Sequence, residues 1–153
     1  MYLAEQFKNF LDDYTLKIIG TDKKFIPKKF HCKNINYIGS ISNVNKLVNF
    51  YDKSRIFILP SYIEGFPKVI PEAITYGCVP IVSNSGSVGQ YLTTDFGIIL
   101  DNISPKTISN TLIKIEKNRN ILKNKAAKGH QLAALFSYER YNQKIKSLLT
   151  KYA

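Results

Sequence analysis

Two cysteines in 153 residues, Cys32 and Cys78, are too few for a disulfide scaffold, and no Cys/His cluster has zinc spacing. A reduced protein with a cytoplasmic location is therefore expected. Long hydrophobic runs are also missing. Runs such as residues 56–60 and 98–100 fall far short of the roughly 20 apolar residues that cross a membrane as a helix. The first ten residues carry Glu5 and Lys8 and no uninterrupted apolar core, so a signal peptide is not expected there. Arginine is scarce: Arg55, Arg119 and Arg140 stand against nineteen lysines. Proteins that read base sequence favour the bidentate arginine fork, so no nucleic-acid partner is expected. The chain has no G-x-G-x-x-G and no Gly-Lys-Ser/Thr phosphate loop, which removes the main support for dinucleotide and P-loop readings. His31 and His130 are isolated and read as surface or packing residues rather than bases.

What is present is enough for one domain spanning residues 1–153. The composition is 44% hydrophobic, which supports a core and excludes a disordered tail. The formal net charge is +11, a field that attracts phosphates, anionic lipid or nucleic acid. Helix and strand patterns alternate. A helix is expected over residues 1–11, with Leu3, Phe7, Phe10 and Leu11 on one stripe. Strands are expected at 16–20, 35–38, 55–59, 79–83 and 97–100. The third, Arg-Ile-Phe-Ile-Leu, is apolar enough for a buried parallel strand. Helices are expected at 23–30, at 43–51 with Asn43 as cap, at 67–76 closed by Gly77, and near 88–92. From Pro105 onward the pattern is helical, started by Asp101 or Ser104 and broken at Gly129 or Ser137. Strands separated by helices predict a doubly wound parallel α/β sheet covered on both faces, with a helical C-terminal tail.

In such sheets ligands bind beyond the carboxyl ends of the strands. The loop after the third strand is the most informative: Pro60-Ser61-Tyr62-Ile63-Glu64-Gly65-Phe66-Pro67-Lys68-Val69-Ile70-Pro71-Glu72-Ala73. Glu64 lies in the loop and Glu72 in the first turns of the next helix. Gly65 lets the backbone approach a ligand closely. Pro67 suits a first helical position, where no N–H is needed, and the free amides of a helix start attract anions. Each carboxylate can accept hydrogen bonds from vicinal hydroxyls, with amides between them facing a diphosphate. The same residues also suit a plainer arrangement, in which Glu64 is a solvated loop residue and Glu72 complements the helix dipole. Ser85-Gly86-Ser87 reads either as a phosphate-cradling turn or as an ordinary loop. Cys78 reads as a small core residue.

The string Phe57-Ile58-Leu59-Pro60-Ser61 through Glu64-Gly65-Phe66, Glu72-Ala73, Gly77 and Val79-Pro80-Ile81-Val82 to Ser87 closely resembles the donor-binding segment of glycosyltransferase family 4, the retaining GT-B enzymes. Seven residues separate the two glutamates, as in that family. Leu16–Gly20, Asn34–Ser42 and Phe96–Leu100 resemble other strands of the same domain more loosely, so the likeness covers most of the chain. It implies a Rossmann-like fold, the C-terminal half of GT-B, that binds a nucleotide-sugar. Glu64 then matches the glutamate that contacts the transferred sugar, and is the catalytic candidate. Glu72 matches the one that holds the ribose. Gly65, Phe66, Pro67, Lys68 and Val69 line the sugar and diphosphate, the amides of Phe66, Lys68 and Val69 facing them. Gly39, Ser40 and Ile41 match the turn against the nucleobase. No metal and no other cofactor is implied, because helix ends and basic side chains meet the diphosphate.

There are departures. Pro67 removes an N–H that many members keep, and Pro71 replaces a common apolar residue. The strand and Arg/Lys loop that open the family's donor domain have no match, and neither has its N-terminal acceptor domain. The chain alone is therefore expected to transfer no sugar. The acceptor implied is a glycan or a lipid-linked sugar, reached through that other domain. A weak contact with an anionic membrane is a further option, at the inner face of the plasma membrane. Phe136 and the aromatic, lysine-bearing segment 138–146 are expected to pack as a helix with a solvated basic face. Two other functions remain open: a related nucleotide-sugar enzyme such as an epimerase, and a non-catalytic module that binds nucleotide-sugar or polyanion.

Overall fold

The computed structural model describes residues 14–28, 31 and 33–152. The helix expected over residues 1–11, and Cys32, lie outside them. The described elements are β1 (Leu16–Ile19), a 3-10 turn (Lys23–Phe25), β2 (Ile35–Gly39), α1 (Val44–Asp52), β3 (Ile56–Leu59), α2 (Val69–Thr75), β4 (Val79–Ser83), α3 (Val88–Tyr91) and β5 (Ile98–Leu100). The tail follows as α4 (Pro105–Lys117), α5 (Asn120–Ala133), a 3-10 turn (Ala134–Phe136) and α6 (Tyr138–Tyr152).

Local chemistry sets most of the boundaries. The Asn43 side chain accepts the Lys46 amide at 3.0 Å and starts α1. Ser104, not Asp101, starts α4: its hydroxyl accepts the Thr107 amide at 3.0 Å, and Pro105 takes the first helical position. The tail breaks at Asn118 and again near the extended Ser137. Gly129 breaks nothing. It lies inside α5, where an added Cβ would sit 3.1 Å from Ile74 Cγ2, so it permits close packing on α2. Of the expected 23–30 helix the described residues show a 3-10 turn at Lys23–Phe25 followed by non-helical Ile26 and Pro27; residues 29 and 30 lie outside them. The 67–76 helix starts two residues late, at Val69. Pro71 is then its third residue, where an amide has no partner inside the helix, so the ring costs no hydrogen bond.

All strand pairs are parallel, and helices flank them, as expected. Hydrogen bonding among the described residues falls into two ladders, β1–β2 and β3–β4–β5. β4 pairs on both edges and is buried at every residue. β3 has an equally apolar sequence but is only half-buried, since among the described residues it is paired on one edge alone. Alternation along the three-stranded ladder builds two cores. One face sends Val82, with Phe57, Leu59 and Ile99, against Ile70, Ile74, Val88, Leu92 and Phe96. The other sends Val79, Ile81 and Leu100, with Ile56, Ile58 and Ile98, against Leu112, Ile115 and Leu122. Ile70, Ile74, Ile81 and Val79 are fully buried, each contributing roughly 1.5–3 kcal/mol of apolar burial.

Candidate functional site

Because the strands are parallel, β3 and β4 deliver their following loops to one end of the ladder. The β3 loop, residues 60–68, carries Glu64. The β4 loop, residues 84–87, packs directly against it. Ser87 holds the Gly65 carbonyl twice, from its amide at 3.3 Å and its hydroxyl at 2.5 Å. The Ser83 hydroxyl donates to the Ser61 carbonyl. Gly86 has φ +58, and a Cβ there would lie 1.5 Å from the Glu64 carbonyl oxygen. Only glycine lets the two loops meet so closely. The Ser85-Gly86-Ser87 turn is thus a buttress for Glu64 and Gly65.

Glu64 is half-buried, and its carboxylate makes no hydrogen bond or ion pair among the described residues. Glu72 is exposed in the first turn of α2, two turns of chain beyond Glu64 in sequence. It accepts a hydrogen bond from the Tyr51 hydroxyl at 3.3 Å. Burial first, and then the Glu72 charge and hydrogen bond, push the Tyr51 phenol well above its ordinary range. Tyr51 in turn stacks on Tyr76 at 6.0 Å and 4°, and meets Phe57 edge-on at 6.1 Å. The carboxylate of Glu72 is therefore aimed by a tyrosine from α1 that the core holds. Between the two glutamates, the amides of Phe66, Lys68 and Val69 donate to no protein acceptor among the described residues. Pro67 is buried and offers no N–H. Lys68 is exposed beside them, as are Tyr62, Ile63 and Phe66.

The structure therefore brings Glu64, Gly65, Phe66, Lys68, Val69 and Glu72 into one segment with open donors and acceptors. The turn at Gly39, Ser40 and Ile41 stands apart. It ends β2 and is bonded to the end of β1: the Gly20 amide donates to the Gly39 carbonyl at 2.8 Å, and the Gly39 amide to Thr21 at 3.3 Å. No hydrogen bond among the described residues joins that turn to the β3 loop. Ser40 is exposed and Ile41 half-buried. Sequence reasoning missed Tyr51 and Tyr91. Their roles come from contacts between elements, and the aromatic residues are scattered along the chain. Cys78 is a core residue as expected; burial raises its thiol to about 11.

Such an arrangement defines a parallel α/β domain with open donors and acceptors at the strand ends, where sheets of this kind bind ligands. The family described as Glycosyl transferases group 1 matches residues 2–131, and the chain belongs to that family. It is 35% identical over 119 residues to the capsular polysaccharide biosynthesis glycosyltransferase CapH of Staphylococcus aureus, covering 71% of this chain and 32% of CapH. Among solved structures it is similar to the C-terminal domain of the group 1 glycosyl transferase LpcC of Francisella tularensis. There the TM-score is 0.73 at 21% identity, covering 88% of this chain and 75% of that one. It is also similar to HepE of Anabaena in complex with UDP-glucose, with a TM-score of 0.73 at 15% identity, over 96% of this chain and 44% of that one. These likenesses show the Rossmann-like half of a GT-B fold. The chain spans 22%, 9% and 32% of the length of three curated relatives that it matches. Among the described residues no helix is long and apolar enough to cross a membrane.

Proposed function

We infer that this domain is the nucleotide-sugar-binding half of a retaining glycosyltransferase, which passes the sugar to a glycan or lipid-linked acceptor held by another domain. The observation that carries the reading is the segment from Glu64 to Glu72. It presents two carboxylates and three free amides at the strand ends, in a family of glycosyl transferases. Glu72, aimed by Tyr51, accepts from the ribose hydroxyls. The amides of Phe66, Lys68 and Val69 and the Lys68 ammonium face the diphosphate, so no resident metal or other cofactor is needed. Glu64 faces the sugar. Positive charge develops on that sugar as the donor bond breaks, and a fixed carboxylate favours that state over the ground state. HepE has been solved with UDP-glucose bound, which supports a donor of this class. Gly39, Ser40 and Ile41 would receive the base.

Saturation-transfer NMR on the chain, with nucleotides and nucleotide-sugars, tests the reading. Signals from both sugar and nucleotide are expected. Binding only to DNA or anionic vesicles, weakening steeply with salt, would favour the non-catalytic polyanion module.

A membrane contact is a secondary part of the proposal, and α6 supports it. Tyr141, Ile145, Leu148 and Leu149 form one exposed stripe, flanked by Arg140, Lys144 and Lys146. Packing against the described residues, expected from the sequence, does not cover this stripe. A basic amphipathic helix of this kind suits an anionic lipid surface. Sedimentation with phosphatidylglycerol vesicles should be lost in Leu149→Glu if α6 makes the contact.

A further inference from the structure

Tyr91 ends α3, just beyond the turn that braces Glu64. Its ring is fixed from two sides: Phe66 of the β3 loop at 5.0 Å, and Phe136 of the tail at 5.6 Å. Its hydroxyl is buried and has no hydrogen-bond partner among the described residues. That is costly, because a buried hydroxyl without a partner forfeits its hydration for nothing. Aromatic packing explains the ring and leaves the hydroxyl unexplained; a phenylalanine would pack as well. The carboxylate of Glu64, two residues before Phe66 in the β3 loop, also makes no hydrogen bond or ion pair among the described residues, and is half-buried. The two interact already: burial first, and then the Glu64 charge, raise the Tyr91 phenol above its ordinary value.

A buried hydroxyl without a partner therefore sits on the residue whose ring meets Phe66, and a carboxylate without a partner stands two residues before Phe66 in the same loop. We propose that Tyr91 is a positioning residue for Glu64: its hydroxyl donates to the Glu64 carboxylate when a donor sugar turns the Glu64 side chain inward, and so sets the direction in which that carboxylate meets the sugar. This rests on the nucleotide-sugar reading above. The Phe66–Tyr91 contact is the coupling element, since Phe66 shares the β3 loop with Glu64 and Tyr91 lies on α3. Gly65 between Glu64 and Phe66 supplies the backbone freedom for that movement. Its carbonyl stays pinned by Ser87, so the shift is confined to the Glu64 and Phe66 side chains and the peptide units beside them.

Tyr91→Phe separates this role from a structural one, because it keeps the ring and removes only the oxygen. The measurements are thermal unfolding of the free chain, and calorimetry with UDP-glucose and GDP-mannose, each set against its free nucleoside diphosphate. Removing an orphan hydroxyl should leave the unfolding temperature unchanged or raise it. Affinity for the sugar-bearing ligand that binds should fall about tenfold, the scale of one hydrogen bond to a charged group. Affinity for the free diphosphate should hold. In a Glu64→Ala background the same substitution should cost nothing more. Unchanged sugar-nucleotide affinity in Tyr91→Phe would overturn the proposal, and so would a full tenfold loss that persists without Glu64. A lower unfolding temperature would show that the hydroxyl already has a structural partner, which overturns it too. If the unsubstituted chain binds neither ligand class, the nucleotide-sugar reading itself fails, and this role falls with it.

Discussion

Gly86→Ala is the sharpest test of how the site is built. The added Cβ would stand 1.5 Å from the Glu64 carbonyl oxygen, and 3.0 Å is about the least that real contacts allow. The carbonyl must retreat by 1.5 Å or more. It cannot do so freely, because the next carbonyl, Gly65, is held by the Ser87 amide and hydroxyl. Alanine at φ +58 also carries roughly 1–2 kcal/mol of left-handed strain. Loss of one Ser87 hydrogen bond adds about 1 kcal/mol. The sum, about 2–3 kcal/mol, corresponds to a fall of roughly 4–12 °C in unfolding temperature for a chain of this length. The more telling effect is on ligand. Displacing Glu64 and its neighbours by more than 1 Å should weaken sugar-nucleotide binding at least tenfold, since misplacements of that size cost on the order of a hundredfold in positioned sites. Gly77→Ala is the control. Gly77 also has positive φ, +79, but nothing lies within 4 Å of its Cβ position. It should lose stability through strain alone and keep its affinity. Differential scanning calorimetry and titration calorimetry on the three proteins decide the matter. If Gly86→Ala melts and binds like the parent, the two loops do not meet as described, and the buttress argument is wrong.

Other outcomes follow from the same geometry. Glu72→Ala should weaken nucleotide binding by about 1.5–3 kcal/mol for each charge-assisted hydrogen bond lost, read by calorimetry with one nucleotide. Tyr51→Phe should reproduce part of that loss, because Glu72 loses the donor that aims it. In the enzyme assembled with its acceptor domain, Glu64→Gln should lower turnover roughly a hundredfold while the inhibition constant of the nucleotide product stays near that of the parent; equal falls in both would make Glu64 a binding residue. The buried Cys78 thiol ionises near 11 in the fold, against about 9 in the open chain. The folded state then holds a proton that the unfolded state has released, so stability should fall as pH rises from 9 to 11. Tyr51, also raised, adds to the fall above its ordinary value of 10. Urea unfolding of Cys78→Ala should show a shallower decline between pH 9 and 10.

Much of this was legible in the sequence because it depends on near neighbours. Asn43 and Ser104 begin helices through their own side chains. Val79–Ser83 reads as a strand from its own apolar, β-branched residues, whereas its burial, greater than that of the equally apolar β3, comes from pairing on both edges. The whole string from Phe57 to Ser87, with Glu64, Gly65, Phe66 and Glu72 in it, carried the resemblance to the family, because it is continuous along the chain. Boundaries were less legible where two signals competed. Pro67 suits a helix start, yet the helix waits for Val69. Gly129 looks like a break, yet it is the contact that brings α5 against Ile74. Tertiary structure alone decided the rest. Nothing in the order of residues says that Ser87 reaches back to Gly65, that Tyr51 aims Glu72, or that Tyr91 packs on Phe66 and buries an unpaired hydroxyl. Those relations span about twenty residues or more, and they exist only once parallel strands have carried separate loops to the same end of the sheet. The local pattern chooses helix and strand through backbone preference and periodic burial. The site is made by loops whose neighbours are set by strand pairing, and that pairing is a property of the folded chain as a whole.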